Sequence, residues 1–223
     1  MRKKDKSVYY TVDVKNGTLF IKRHKRALIN LSGVSLSERV LEIEIPSKEY
    51  EDLSVSTVSG AIIVERGFSF REVELENTSG GIEFLSNAKE KIEIESTNGR
   101  IKVTTSSTLD KVRIKATSGQ ITLSDTKSDE VYLKTTSGGI SLNSVMAKGD
   151  MTVHSTSGTV TLNGCDGKSI YIETTSGNIK GTLLSDKTFR TKSSTGIVDV
   201  PFNGEGEICE IKTKTGNIKI DVI

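Results

Sequence analysis

The sequence predicts an all-β fold, a single-domain parallel β-helix or β-solenoid, on two observations: glycine recurs at a fixed period, and apolar residues alternate around each glycine. Gly60, Gly80, Gly99, Gly119, Gly138, Gly158, Gly177, Gly196 and Gly216 are separated by 20, 19, 20, 19, 20, 19, 19 and 20 residues, each after a Ser- and Thr-rich run. Such a period marks a stacked repeat. Aligned on the glycine, the columns alternate with the two-residue period of a strand and not the 3.6-residue period of a helix.

Four columns form the predicted core. Seven before the glycine stand Leu53, Val73, Ile92, Val112, Val131, Met151, Ile170, Phe189 and Cys209; five before it, Val55, Leu75, Ile94, Ile114, Leu133, Val153, Ile172, Thr191 and Ile211. Two after it stand Ile62, Ile82, Ile101, Ile121, Ile140, Val160, Ile179, Val198 and Ile218; four after it, Val64, Phe84, Val103, Leu123, Leu142, Leu162, Gly181, Val200 and Ile220. Polar and charged residues fill the positions between, so each coil of roughly 20 residues has two main strands with one buried face each. The Ser/Thr-Ser-Gly run is the corner that joins them, where glycine supplies a left-handed conformation that a Cβ would make costly. Stacked at roughly 4.8 Å, the marked coils build a rod on the order of 40 Å long. The column three before the glycine, from Thr57 and Asn77 to Ser193 and Thr213, becomes an inward ladder whose hydroxyls bond to one another or to the bend.

Residues 1–52 fit the period poorly and read as divergent capping coils, while 53–223 are the regular repeats of one continuous domain. Gly17, flanked by Tyr10, Val12, Leu19 and Ile21, reads as a first degenerate coil; Leu41, Ile43 and Ile45 form a further alternating run that stops at Pro46. Lys22, Arg23, Lys25 and Arg26 make the most basic stretch, a candidate contact for anionic lipid, teichoic acid or nucleic acid whose ordinary reading is a solvated loop. The chain stops at Ile223 directly after the last predicted strand. That strand is therefore expected at an open edge, which must be capped, continued or paired with another copy end to end.

The formal net charge of +2 over 223 residues gives no bulk attraction for nucleic acid. Cys165 and Cys209 occupy different positions in their coils, so no disulfide is expected, and no apolar run is long enough for a membrane span. Among the outward columns, Glu74, Glu76, Glu93 and Glu95 form an acidic patch on two adjacent coils. Paired carboxylates of this kind suit acid and base chemistry or a cation, but Arg113, Lys115 and Lys134 follow directly and make a mixed charged face the simpler reading. His24 and His154 have no nucleophile motif around them, so no catalytic, cofactor or metal residue is assigned. Tyr132 and Tyr171 share a column with Thr152 between them, a thin basis for stacking on sugars.

The motif Val/Ile-x-Ile/Leu-x-Thr/Ser-x-Ser-Gly-x-Ile-x-Val/Leu, as in VYLKTTSGGISL and IYIETTSGNIKG, follows an opening VKNGTLFIK and the run LEIEIPSKEYEDLSVSTVSGAIIV. In this it resembles an adhesin-like β-solenoid family of bacteria, a domain of unknown function, and is similar to surface proteins of the Lia-type envelope-stress response. The resemblance implies a non-enzymatic module at the bacterial cell envelope or surface, a binding scaffold for a protein or cell-wall glycan partner, with membrane association only through segments outside this sequence. It carries over no active-site residues. Two rival expectations stand beside it: a polysaccharide-binding or polysaccharide-processing β-helix using the acidic patch and the tyrosines, and a cytoplasmic regulator that reaches a membrane signalling partner through the basic loop.

Overall fold

A computed structural model describes residues 10–23, 40–202, 204 and 206–223. The chain divides into two compact units at Ile45 and Pro46. In the first, β1 (Tyr10–Lys15) and β2 (Thr18–Arg23) pair antiparallel, from Tyr10 opposite Arg23 to Lys15 opposite Thr18. Asn16 and Gly17 close the turn at φ 49° and 79°. Positive φ at both central residues is the type I′ hairpin that Asn-Gly favours. This corrects the expectation of a degenerate coil about Gly17, because the two strands of a coil pair with neighbouring coils and not with each other. Leu41, Ile43 and Ile45 form no strand, and Leu41 and Ile43 are exposed.

The second unit is the solenoid. Its coils alternate a long and a short strand: β3 (Glu49–Ser59) and β4 (Ile62–Val64), β5 (Ser69–Ser79) and β6 (Ile82–Phe84), β7 (Asn87–Asn98) and β8 (Ile101–Thr104), β9 (Thr108–Ser118) and β10 (Ile121–Ser124), β11 (Lys127–Ser137) and β12 (Ile140–Asn143). Beyond these come β13 (Met146–Ser157), β14 (Val160–Ser176), β15 (Ile179–Leu183), β16 (Lys187–Ser193), β17 (Val198–Asp199), β18 (Glu207–Thr215) and β19 (Ile218–Val222). β14 runs through a bend, so its first half lies on the short face and its second half on the long face. All pairing between coils is parallel. Val131 of β11, for instance, stands between Val112 of β9 and Met151 of β13, as the glycine alignment predicts.

The four predicted columns are buried through the middle coils, with Ile94, Ile114, Leu133 and Val153 fully enclosed. Two further inward columns lie where a bend separates the coils. One runs Tyr50, Phe70, Ala88, Leu109, Ser128, Ala147 and Gly167; the other, Ser86, Thr105, Thr126, Val145, Cys165 and Leu183. Their buried hydroxyls are satisfied by the bends themselves. Ser128 Oγ donates to Glu130 O at 2.8 Å and Asp110 O at 3.2 Å, and Ser86 Oγ donates to Phe68 O at 3.0 Å while accepting from Phe68 N at 2.9 Å.

At the corners the glycine is required by the neighbouring coil. A Cβ on Gly119, at φ 139°, would overlap the carbonyl oxygen of Gly99 below it, and one on Gly138 that of Gly119. The corner glycine thus answers two demands, the positive φ that the sequence predicts and the close approach of the neighbouring coil. The inward ladder three residues earlier serves the same carbonyls: Asn77 Nδ2 donates to Gly60 O at 2.7 Å, Thr213 Oγ1 to Gly177 O at 3.2 Å and Ser193 Oγ to Gly216 O at 2.8 Å. Of the two alternatives open in the sequence, these side chains take the bend, while Ser96 Oγ and Thr174 Oγ1 in the same ladder are buried without a partner.

The C-terminal end departs from sequential stacking. β18 pairs with β14 on one side and β16 on the other, and β19 lies likewise between β15 and β17. The last coil in the chain is therefore threaded inside the stack, and the coil before it is outermost. Ile218 and Ile220 are buried, while Val198, expected in the core, is 40% exposed at the edge. A buried pair pins this arrangement. Lys187, only 3% exposed in its side chain, donates from Nζ to Asp166 Oδ1 at 2.6 Å and to Gly167 O at 2.9 Å. It thereby joins the outermost coil to the coil beyond the threaded one.

Candidate interaction face

The long face presents the outward side chains of β3, β5, β7, β9, β11, β13, β14, β18 and β16, in that spatial order. Parallel register stacks like positions directly on one another, so the charge pattern is written along the axis of the solenoid. Near β3 it is acidic. Arg71 gathers carboxylates from three coils, bonding Glu51 at 2.9 Å, Asp52 at 2.8 Å and Glu90 at 3.0 Å besides Glu72 on its own strand. These carboxylates raise its pKa further, Glu51 most.

Glu74, Glu76, Glu93 and Glu95 come together as the spacing predicts, Glu74 opposite Glu93 and Glu76 opposite Glu95. Their partners differ, however. Glu93 is held by Lys91 and by Arg113 at 3.5 Å, and Glu95 by Lys115. The Lys91 hydrogen bond keeps the Glu93 carboxyl below the usual carboxylate range against the opposing effect of burial, with Arg113 and Lys115 adding to it. Glu74 and Glu76 make no ion pair among the described residues, and Glu76 accepts only from Ser56 Oγ at 3.4 Å.

Beyond β9 the face carries a row of rings. His154 sits between the two tyrosines, its centroid 6.0 Å from that of Tyr132 and 5.4 Å from that of Tyr171. Arg113 covers the Tyr132 ring at 4.8 Å and Lys212 the Tyr171 ring at 5.4 Å. The Tyr171 hydroxyl donates to Glu173 at 2.9 Å, and burial followed by this bond pushes the phenol up. The sequence alignment separated His154 from the tyrosines by column; the side chain leans diagonally into the gap above Thr152, a contact visible only once adjacent columns are set side by side.

Two residues before each glycine, exposed Thr78, Thr97, Thr117, Thr136, Thr156 and Thr175 form an unbroken stripe, one per coil. Between that stripe and Glu76, Glu95, Lys115 and Lys134 runs an open trough of about 660 Å³. Toward the last coils the face turns basic, with Lys212 and Lys214 on β18 and Arg190 and Lys192 on β16. Lys22 and Arg23 of the basic stretch are exposed at the end of β2, while Lys25 and Arg26 lie outside the described residues.

Both cysteines are buried free thiols. Burial pushes Cys209 up to about 12 and raises Cys165 as well, so neither is a ready nucleophile. No group of three or more His, Cys, Asp or Glu side chains among the described residues is placed to hold a metal. Nor is any helix there long and apolar enough to cross a membrane.

The family model Toastrack DUF4097 matches this chain twice, over residues 1–108 and 85–222. The chain belongs to the Toastrack family. No curated protein and no solved structure matches this Toastrack chain. The family is one of unknown function.

Proposed function

We propose that this Toastrack solenoid is a non-enzymatic scaffold of the bacterial cell envelope, an adhesin-like or stress-response surface module that offers its long face to a partner. The observation that carries this reading is the state of the acidic patch. A general acid needs a carboxyl raised toward neutral pH, whereas Glu93 is shifted the opposite way by Lys91 and Glu95 is occupied by Lys115. A regular face on which Glu93 and Glu95 are neutralised by neighbouring lysines, while other charges stay open to solvent, suits recognition over a broad area better than turnover at a point. The sugar-stacking alternative finds its footing in the aromatic row, yet Arg113 and Lys212 already cover faces that a sugar would use.

Protease shaving of intact cells, followed with an antibody against the solenoid, tests the placement. Loss of signal is expected. Full protection in cells whose known surface proteins are cleaved would transfer the scaffold to a cytoplasmic partner. A glycan array on the purified chain separates the sugar reading: binding that disappears in Tyr132→Ala and Tyr171→Ala variants would replace the protein partner with a polysaccharide.

A further inference from the structure

We propose that the chain associates head to tail with a second copy, the outer edge of β16 in one molecule pairing with the outer edge of β3 in the next, so that the solenoid continues across the junction. This does not rest on the envelope reading. Among the described residues β3 has β5 as its only strand partner and β16 has only β18. A strand paired on one edge leaves a row of N–H and C=O groups that can template another strand. The short face is blunted by the two-residue β17 and by Pro201, which leaves the long face as the seam.

The core columns are unfinished at both ends in a complementary way. Leu53, Val55 and Val64 are only partly buried at one end; at the other Thr191 and Val200 are partly buried and Val198 is exposed. Continuing the repeat in register sets Phe189 beside Leu53, Thr191 beside Val55, Val198 beside Ile62 and Val200 beside Val64. Each position meets its own column.

Charge decides the polarity of the junction. Arg190 and Lys192, like Glu74 and Glu76, are exposed and make no ion pair among the described residues. In register, Arg190 falls beside Ser54 and Lys192 beside Ser56, whose short side chains leave the way open to Glu74 and Glu76 one coil further. The same reach is made within the chain, where Lys89 of β7 passes over β5 to Glu49 of β3 at 2.7 Å. A twofold, tail-to-tail pairing of β16 with itself about Thr191 would instead set Arg190 of each copy against Lys192 of the other, and like charges on facing strands repel.

Sedimentation velocity over a concentration series reads the association. The natural chain is expected to form open-ended oligomers that weaken with added salt. Charge reversal in Arg190→Glu/Lys192→Glu, or in Glu74→Lys/Glu76→Lys, should each lower the association constant by about tenfold, and mixing the two variants should restore it. A chain that stays monomeric at every concentration, a closed dimer, or assembly indifferent to both reversals and their mixture would overturn the proposal.

Discussion

Gly119 and Gly60 separate two demands that a repeat glycine can answer. Both have positive φ, but a Cβ on Gly119 runs into the Gly99 carbonyl whereas one on Gly60 meets nothing within 4 Å. Gly60→Ala should therefore cost only the conformational penalty, about 1 kcal/mol, and Gly119→Ala about 3 kcal/mol or more because the coils must also part. Urea unfolding midpoints of the two variants check the ranking. The ladder next to the corner supplies a second contrast. Thr174 Oγ1 is buried without a partner, while the Thr213 hydroxyl reaches Gly177 O. Thr174→Val should hold or raise stability and Thr213→Val lower it by about 1 kcal/mol, read from the same midpoints.

Asp166 gives a pH dependence whose sign follows from its environment. Burial pushes its carboxyl up, but bonds from Lys187, Ser185 and the Gly167 N–H, with the Lys187 charge, outweigh burial and lower it overall. A carboxyl lower in the folded than in the unfolded state, where it titrates near pH 3.9, adds stability that is complete above that pH and is lost as pH falls through the folded value. Asp166→Asn should remove this acid sensitivity and cost about 3 kcal/mol at neutral pH, since it strands the Lys187 ammonium. Thermal unfolding between pH 2 and 7, variant against parent, measures both effects.

At the scale of strands, position in the chain and position in the stack part company. Ile220 lies in the last strand yet is buried like Ile121 in a middle coil, while Val198 lies in an earlier strand and is exposed. Ile220→Asp should unfold the solenoid as readily as Ile121→Asp, each costing several kcal/mol, about 3 or more, with Val198→Asp close to neutral. Limited proteolysis of the three variants is the check; sequential stacking would have made Val198 the costlier site and Ile220 the cheaper one. The strands themselves were legible because the period-2 columns around each glycine tolerate few exceptions. The two extra inward columns were not, since coil lengths of 19 and 20 residues shift them against a glycine-based alignment and their members range from Phe70 to Gly167. The hairpin was missed for a related reason: Gly17 kept the register of the repeat, and the Asn-Gly dipeptide that sets the turn was read as spacing.

Across the whole molecule, the sequence carried the architecture, the paired carboxylate columns and the corner residues, because each recurs once per coil and repetition turns a weak local signal into a firm one. What it concealed happens once. The threading of β18 and β19, the reach of Lys187 and the place of His154 between two tyrosines have no counterpart in other coils, so no column announces them. Features of this kind depend on which coil neighbours which, and the strand pattern is the same for either order of the last two coils. The polarity of the long face belongs to this class too. Acidic residues near β3 and basic ones near β16 are spread along the sequence, and only the stack sets them at opposite ends.

The threaded order also constrains how the molecule can be completed during synthesis. Domains form as they emerge, the N-terminal part first, and here each coil can settle on the one before it as far as Leu183. The next segment has no finished template: its eventual neighbour is the stretch made after it, and Lys187 must hold the gap that Glu207–Val222 will fill. Growth that resembles adding bricks to a column thus ends like setting a keystone. Until residues 207–223 arrive, the core layers they cover stay open to water, and a chain halted near Pro201 would expose them as an adhesive end.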